Sequence, residues 1–299
     1  LILMNRRDFL MTAAAASQVS HRLVAQAPAP PRLTACFFSK HLADLNYDEM
    51  GKALKGAGFD GVDLTVRPGG HVLPERAAQD LPRAVESLRS HELEVPMITT
   101  ELTSASDPAA RPILSTAAGL KIPFFKLGYW KYTDDPEASV RKATADVSGL
   151  AALAKEYGIT AGFHNHPRNV GLCGWDGKQV LQGLDPKSVG YYFDANNATE
   201  EGGVMGWEVL LRLASPRLKM AAFKDFYWEK VKGKWVGTAC PLGQGMVNYP
   251  KVFSLLAAAR FSGPFSVHQE YKPADRMQAA HTDLEFVRKH LQAAYGAIS

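Results

Sequence analysis

Three short segments carry most of the side chains able to do chemistry: His164-Asn165-His166, Asp194 and His268-Gln269-Glu270. Each closes an apolar run. Side chains alternate along a strand, so His164 and His166 share one face, as do His268 and Glu270. Asp194 ends an apolar stretch, where a charge requires a partner. Imidazoles and carboxylates converging from three strands make a ligand set for one divalent metal: His164, Asp194, His268 and Glu270. Such mixed N and O donors suit Mn, Zn, Fe or Co better than Ca, and the expected cofactor is one divalent metal among Mn, Zn, Fe, Co and Mg. The alternative for each residue is a hydrogen-bonded strand end lining a polar cavity. His166, Lys224 and Glu270 are the candidates for proton transfer. Glu101, Lys126, Trp130, Arg67 and His71 are the candidates for holding a substrate. A lysine acts as a base only where its pKa is lowered, and Lys224 has an ion pair with Asp225 as its structural alternative.

These residues need strands to present them. Strand-like runs cover Leu33–Ser39, Gly61–Thr65, Glu94–Thr99, Phe124–Leu127, Thr160–His164, Gly190–Asp194, Leu218–Lys224 and Pro264–His268. Helical patterns intervene at Tyr47–Ala57, Pro82–His91, Pro136–Tyr157, Tyr249–Arg260 and Ala274–Tyr295. The spacing i, i+3, i+4 over Val140–Leu153 predicts one buried helix face. Asp135-Pro136 supplies its cap and first residue. Eight alternating units predict a single-domain α/β fold, the (β/α)8 TIM barrel, whose chemistry sits at the C-terminal ends of the strands. No G-x-G-x-x-G turn follows the first strand to favour an open doubly wound sheet. Tyr227–Val236 alternates around Gly233 and predicts an added hairpin.

In combination, G-F-D-G-V-D-L (Gly58–Leu64), A-G-F-H-N-H (Ala161–His166), Y-Y-F-D (Tyr191–Asp194), F-K-D (Phe223–Asp225), G-Q-G (Gly243–Gly245) and F-S-V-H-Q-E-Y (Phe265–Tyr271) carry a resemblance. The chain resembles the xylose isomerase-like TIM barrels of the sugar phosphate isomerase/epimerase superfamily, which share the AP endonuclease family 2 fold. The resemblance spans about 35 to 295. It implies a divalent metal held by Glu, Asp, His and Glu at the ends of strands five to eight, with proton shuttling through an enediol-like intermediate. By position, the first Glu falls on His164, the Asp on Asp194 and the last Glu on His268, with Glu270 one pleat beyond. The strand-seven His falls on Ala222, which cannot ligate a metal. The implied function is a metal-assisted sugar isomerase or epimerase acting next to a carbonyl. Keto-sugar lyase or dehydratase chemistry is the alternative on the same site. A non-catalytic periplasmic sugar-binding protein is the alternative that His164 and Ala222 favour.

Asn5-Arg6-Arg7-Asp8-Phe9-Leu10, an Ala-rich apolar run and Ala25-Gln26-Ala27 read as a twin-arginine export signal over residues 1–27. A linker at 28–33 and the barrel at 34–299 follow, and the expected location is periplasmic. The apolar run is too short for a stable membrane anchor. The net charge is +4, and residues 1–27 hold three arginines and one aspartate, so the remainder stands at +2. That is too weak for a nucleic-acid partner and argues against a repair endonuclease. Three widely spaced cysteines make no disulfide framework. Aromatic residues in the loops after strands four, five and seven suit stacking on a small-molecule carbohydrate, or a homo-oligomer contact.

Overall fold

The computed structural model describes residues 33–296. Eight parallel strands close a barrel: β1 (Ala35–Phe38), β2 (Gly61–Thr65), β3 (Glu94–Thr99), β4 (Phe124–Lys126), β5 (Thr160–His164), β6 (Val189–Asp194), β7 (Leu218–Phe223) and β10 (Phe265–Val267). The ring closes through pairing of β1 with both β2 and β10. Strand β2 is wholly buried and so is β6, as continuous apolar runs in a parallel sheet must be. The export segment and most of the linker lie outside the described residues. Among the described residues, no helix is long and apolar enough to cross a membrane.

Helices α1 (Tyr47–Gly56), α2 (Ala77–Ser90), α3 (Ala110–Gly119), α4 (Pro136–Tyr157), α5 (Trp175–Val180), α6 (Ala195–Ala214), α7 (Tyr249–Ala258) and α8 (Arg276–Tyr295) connect the strands. The capping signals act as their chemistry dictates. Asp135 accepts from Ala138 N at 2.8 Å to start α4, and Gly158 ends it in the left-handed region. Three helices carry no clear signal in the sequence. Helix α3 is short, α5 has only six residues, and α6 is broken at Gly203, whose φ is 60°.

The added hairpin pairs β8 (Asp225–Val231) with β9 (Lys234–Cys240). Lys232 and Gly233 form its two-residue turn, both at positive φ, which matches the twist of the flanking strands. At its base lies a second device. The Asp225 carboxylate accepts backbone N–H groups from Phe226 (2.9 Å), Gly243 (3.0 Å), Gly245 (3.0 Å) and Val247 (3.2 Å). A side chain at Gly245 would run into that carboxylate, and Gly243 sits at φ 81°. The G-Q-G motif is therefore an anion cradle for an internal aspartate. It clamps the backbone immediately after Lys224.

Candidate active site

A cavity of about 100 Å³ opens at the C-terminal mouth of the barrel. Its walls include Phe38, Lys40, Arg67, Lys126, Tyr129, His164, His166, Tyr192, Lys224, His268 and Glu270. Strand β5 delivers His164 as its last residue. Strand β6 delivers Asp194, which also caps α6 by accepting from Asn197 N at 2.8 Å. Lys224 follows β7 directly. Strand pairing stops at His164 and at Val267, so His166, His268 and Glu270 are loop residues and strand alternation does not govern them. The barrel mouth nonetheless brings them to one cavity.

Asp194 is fully buried, and only its Oδ1 is satisfied by the cap. Oδ2 makes no well-formed hydrogen bond, and it faces the Lys224 ammonium at 3.4 Å and His164 Nε2 at 3.8 Å. Burial raises the Asp194 carboxyl pKa, an effect that Lys224 opposes. His164 binds the Tyr192 carbonyl through Nδ1 at 3.0 Å, which leaves Nε2 toward Asp194. His268 Nε2 lies 3.2 Å from the Tyr192 hydroxyl, which donates to Asp63 Oδ2 at 2.9 Å. His166 engages Pro167 O at 3.2 Å through Nδ1, with Asn169 Nδ2 3.3 Å away. Burial comes first among the causes that lower the pKa of all three imidazoles, and neighbouring lysines lower it further. His166 falls to about 4. All three rings are therefore neutral at pH 7.

Glu270 stands at the rim against Lys40 Nζ at 3.1 Å and His41 Nε2 at 3.8 Å. Burial alone would raise its pKa, but Lys224, His41 and Lys40 together hold it below the usual value. Lys126 is 2% exposed, and its Nζ has no hydrogen-bond partner. It lies 3.5 Å from the centre of the Tyr129 ring, a cation–π contact. Burial, and after it Arg67, brings the Lys126 pKa down to about 7.

Three of the substrate-binding expectations lead elsewhere. Trp130 does not line this cavity: it is 6% exposed, stacks on Phe163 and donates its indole N–H to Asp146 at 2.8 Å. His71 uses both ring nitrogens within the scaffold, at Thr65 Oγ1 (3.2 Å) and Leu42 O (3.1 Å). Glu101 is exposed and reaches the cavity only through its 3.2 Å pair with Arg67. The loop aromatics Trp175, Tyr227 and Trp228 face solvent rather than the cavity. Two lining residues carried a sequence signal that went unused. Lys40 directly follows the first strand, as Lys224 follows the seventh. Tyr192 lies two residues before Asp194, on the same strand face.

Residues 52–290 match the family described as xylose isomerase-like TIM barrel, and the chain belongs to that family. No curated protein matches it. Similar solved structures include a xylose isomerase-like TIM barrel protein from Mycobacterium smegmatis in complex with magnesium, at 18% identity and TM-score 0.69, covering 89% of this chain and 98% of that one. D-psicose 3-epimerase with D-tagatose, from Clostridium cellulolyticum H10, is 13% identical with TM-score 0.69, covering 87% and 99%. The probable 3-DHS dehydratase AsbF from Bacillus anthracis is 13% identical with TM-score 0.67, covering 86% and 99%. At these identities the likeness concerns the fold.

The donors of this chain do not fit the divalent metal that the fold implies. Among the described residues, no three His, Cys, Asp or Glu side chains gather as a metal site. Three of the four expected ligands are drawn into other contacts. An ammonium stands 3.4 Å from Asp194 Oδ2, His268 meets Tyr192, and Glu270 meets Lys40. A cation about 2 Å from Asp194 Oδ2 would be forced against Lys224. Ala222, at the strand-seven ligand position, packs with Met97, Tyr192 and Met220 in the barrel interior.

Proposed function

We propose that this chain is an isomerase- or epimerase-like enzyme that moves a proton at the carbon next to the carbonyl of a small carbohydrate. The observation that carries the reading is one cavity lined by His166, Glu270, Lys126 and Lys224 at the C-terminal mouth of a barrel of this family. The epimerase names among its structural neighbours support the substrate class. The sugar binds with its carbonyl toward the lysines and its hydroxyls toward Arg67 and the imidazoles.

His166 is the first proton-transfer group. In the tautomer that donates Nδ1–H to Pro167 O, Nε2 holds the lone pair, and the ring is neutral. Glu270 is the second, kept ionised at the rim by the surrounding cations. They come from the ends of β5 and β10, three places apart around the ring, as a reaction with proton transfer on two faces of a carbon requires. The Asn5–Leu10 segment supports export by the twin-arginine route, so the sugar is one met in the periplasm; fusing residues 1–27 to a reporter tests that location.

Incubation in deuterium oxide with a panel of keto- and aldo-sugars tests the reaction class. Incorporation of one deuterium next to the carbonyl supports it. Binding without incorporation for every sugar would establish a carbohydrate-binding protein instead. The dehydratase neighbour favours one variation, in which incorporation accompanies loss of water and the reaction is an elimination.

A further inference from the structure

The misfit of the metal ligands leaves the site with a cation of its own. We propose that the Lys224 ammonium takes the part of the divalent cation, binding the carbonyl oxygen of the sugar and carrying the charge of its enediolate. This rests on the carbohydrate reading above and adds the group that stabilises the charge.

Three observations converge on Lys224. Its ammonium faces Asp194 Oδ2, a buried carboxylate oxygen that lacks a well-formed hydrogen bond, at 3.4 Å. Its side chain is 13% exposed and lines the cavity, so a ligand oxygen has access to it. Its backbone is fixed on both sides. Tyr249 donates to its carbonyl oxygen at 2.5 Å, and the next residue, Asp225, sits in the four-amide cradle. A fixed ammonium that lines a mostly buried pocket is a preorganised positive pole.

The step balances without a co-reactant. His166 Nε2 takes the proton from the carbon next to the carbonyl. The C–H electron pair becomes a C=C bond, and the carbonyl π pair moves onto oxygen, beside the ammonium. Return of a proton to carbon restores the carbonyl. Nothing is oxidised or reduced, and Lys224 keeps its proton throughout.

Two measurements on the full chain test this. The first is titration with Mn²⁺ read by its paramagnetic resonance, for wild type, Lys224→Met and Lys224→Arg. The second is the deuterium exchange rate before and after chelation. We expect no stoichiometric Mn²⁺ on the wild type and an exchange rate indifferent to chelator. We expect kcat to fall about 100-fold in Lys224→Met with KM changed less than about threefold, and to recover partly in Lys224→Arg. Binding of one Mn²⁺ by the wild type overturns the proposal, as does exchange that chelation abolishes and Mn²⁺ restores. Unchanged kcat in a folded Lys224→Met does the same. If no sugar exchanges at all, the carbohydrate reading fails, while the Mn²⁺ titration still decides whether this pocket takes a metal.

Discussion

Two aspartates close to Lys224 have opposite fates. Asp225 has both oxygens saturated by four backbone amides of the hairpin base and the G-Q-G loop. Asp194 has one oxygen tied to its helix cap and the other turned toward Lys224 and His164. The first arrangement is scaffold: every valence is satisfied, so nothing remains for a ligand. The second leaves one oxygen without a hydrogen bond, facing two side chains that line the cavity. Satisfaction of hydrogen bonds, rather than residue type, separates the two regions.

Substitutions can break that contrast. Asp225→Ala leaves four backbone amides, those of Phe226 and Val247 buried, without an acceptor and frees the loop at 241–247. It should lose about 3–5 kcal/mol of stability, read as a lower denaturant midpoint. An equally stable variant would mean that the cradle is not a scaffold element.

Lys126 extends the contrast to a cation with no hydrogen-bond partner, set against the face of the Tyr129 ring. Lys126→Met should stabilise the protein by about 1–3 kcal/mol at pH 7 and below, because a buried amine without a hydrogen bond disappears. The sign follows from the lowered pKa. Between about 7 and the ordinary lysine value of 10.5, the unfolded chain holds a proton that the folded chain has released. Wild-type stability therefore rises with pH across that window, and the Met variant should lose the slope. Denaturant melts at pH 6, 8 and 10 check this; parallel slopes in the two proteins would count against it.

Trp130→Phe should cost about 1 kcal/mol, for the lost Asp146 bond, with unaltered sugar binding. Weakened binding by calorimetry would return Trp130 to the site. The smallest expected stability effect belongs to Asp194→Asn, about 0.5 kcal/mol, since an amide oxygen still caps α6. A large thermal shift would show that the Lys224 pair is structural.

Much of the scaffold was legible in the sequence. All eight barrel strands fell within two residues of their observed ends, because buried parallel strands write themselves as short apolar runs. The hairpin followed from alternation around Gly233. Helix α6 was hidden by its own glycines. The site was legible by composition but not by pairing. His164, His166, Asp194, Lys224, His268 and Glu270 do converge near one mouth. That Lys224 would stand beside Asp194, and Lys40 beside Glu270, depends on contacts between strand ends far apart in the chain. Trp130 misled for a local reason: it follows a strand end, but Asp146 on α4 draws its indole away from the cavity. The F-K-D and G-Q-G motifs helped carry the family resemblance, and the element they share is the cradle around Asp225.

In the proposed reaction the Asp194 carboxylate and its lysine support carbohydrate chemistry without a metal. The most direct test is the initial rate of solvent deuterium exchange into a turned-over sugar, by chelator-treated wild type beside folded Asp194→Asn. Sustained exchange by the wild type and a loss of about 100-fold in the variant are expected, because Lys224 is no longer oriented by a charge. Equal rates in the two proteins, or a wild type silent until metal is restored, would contradict it.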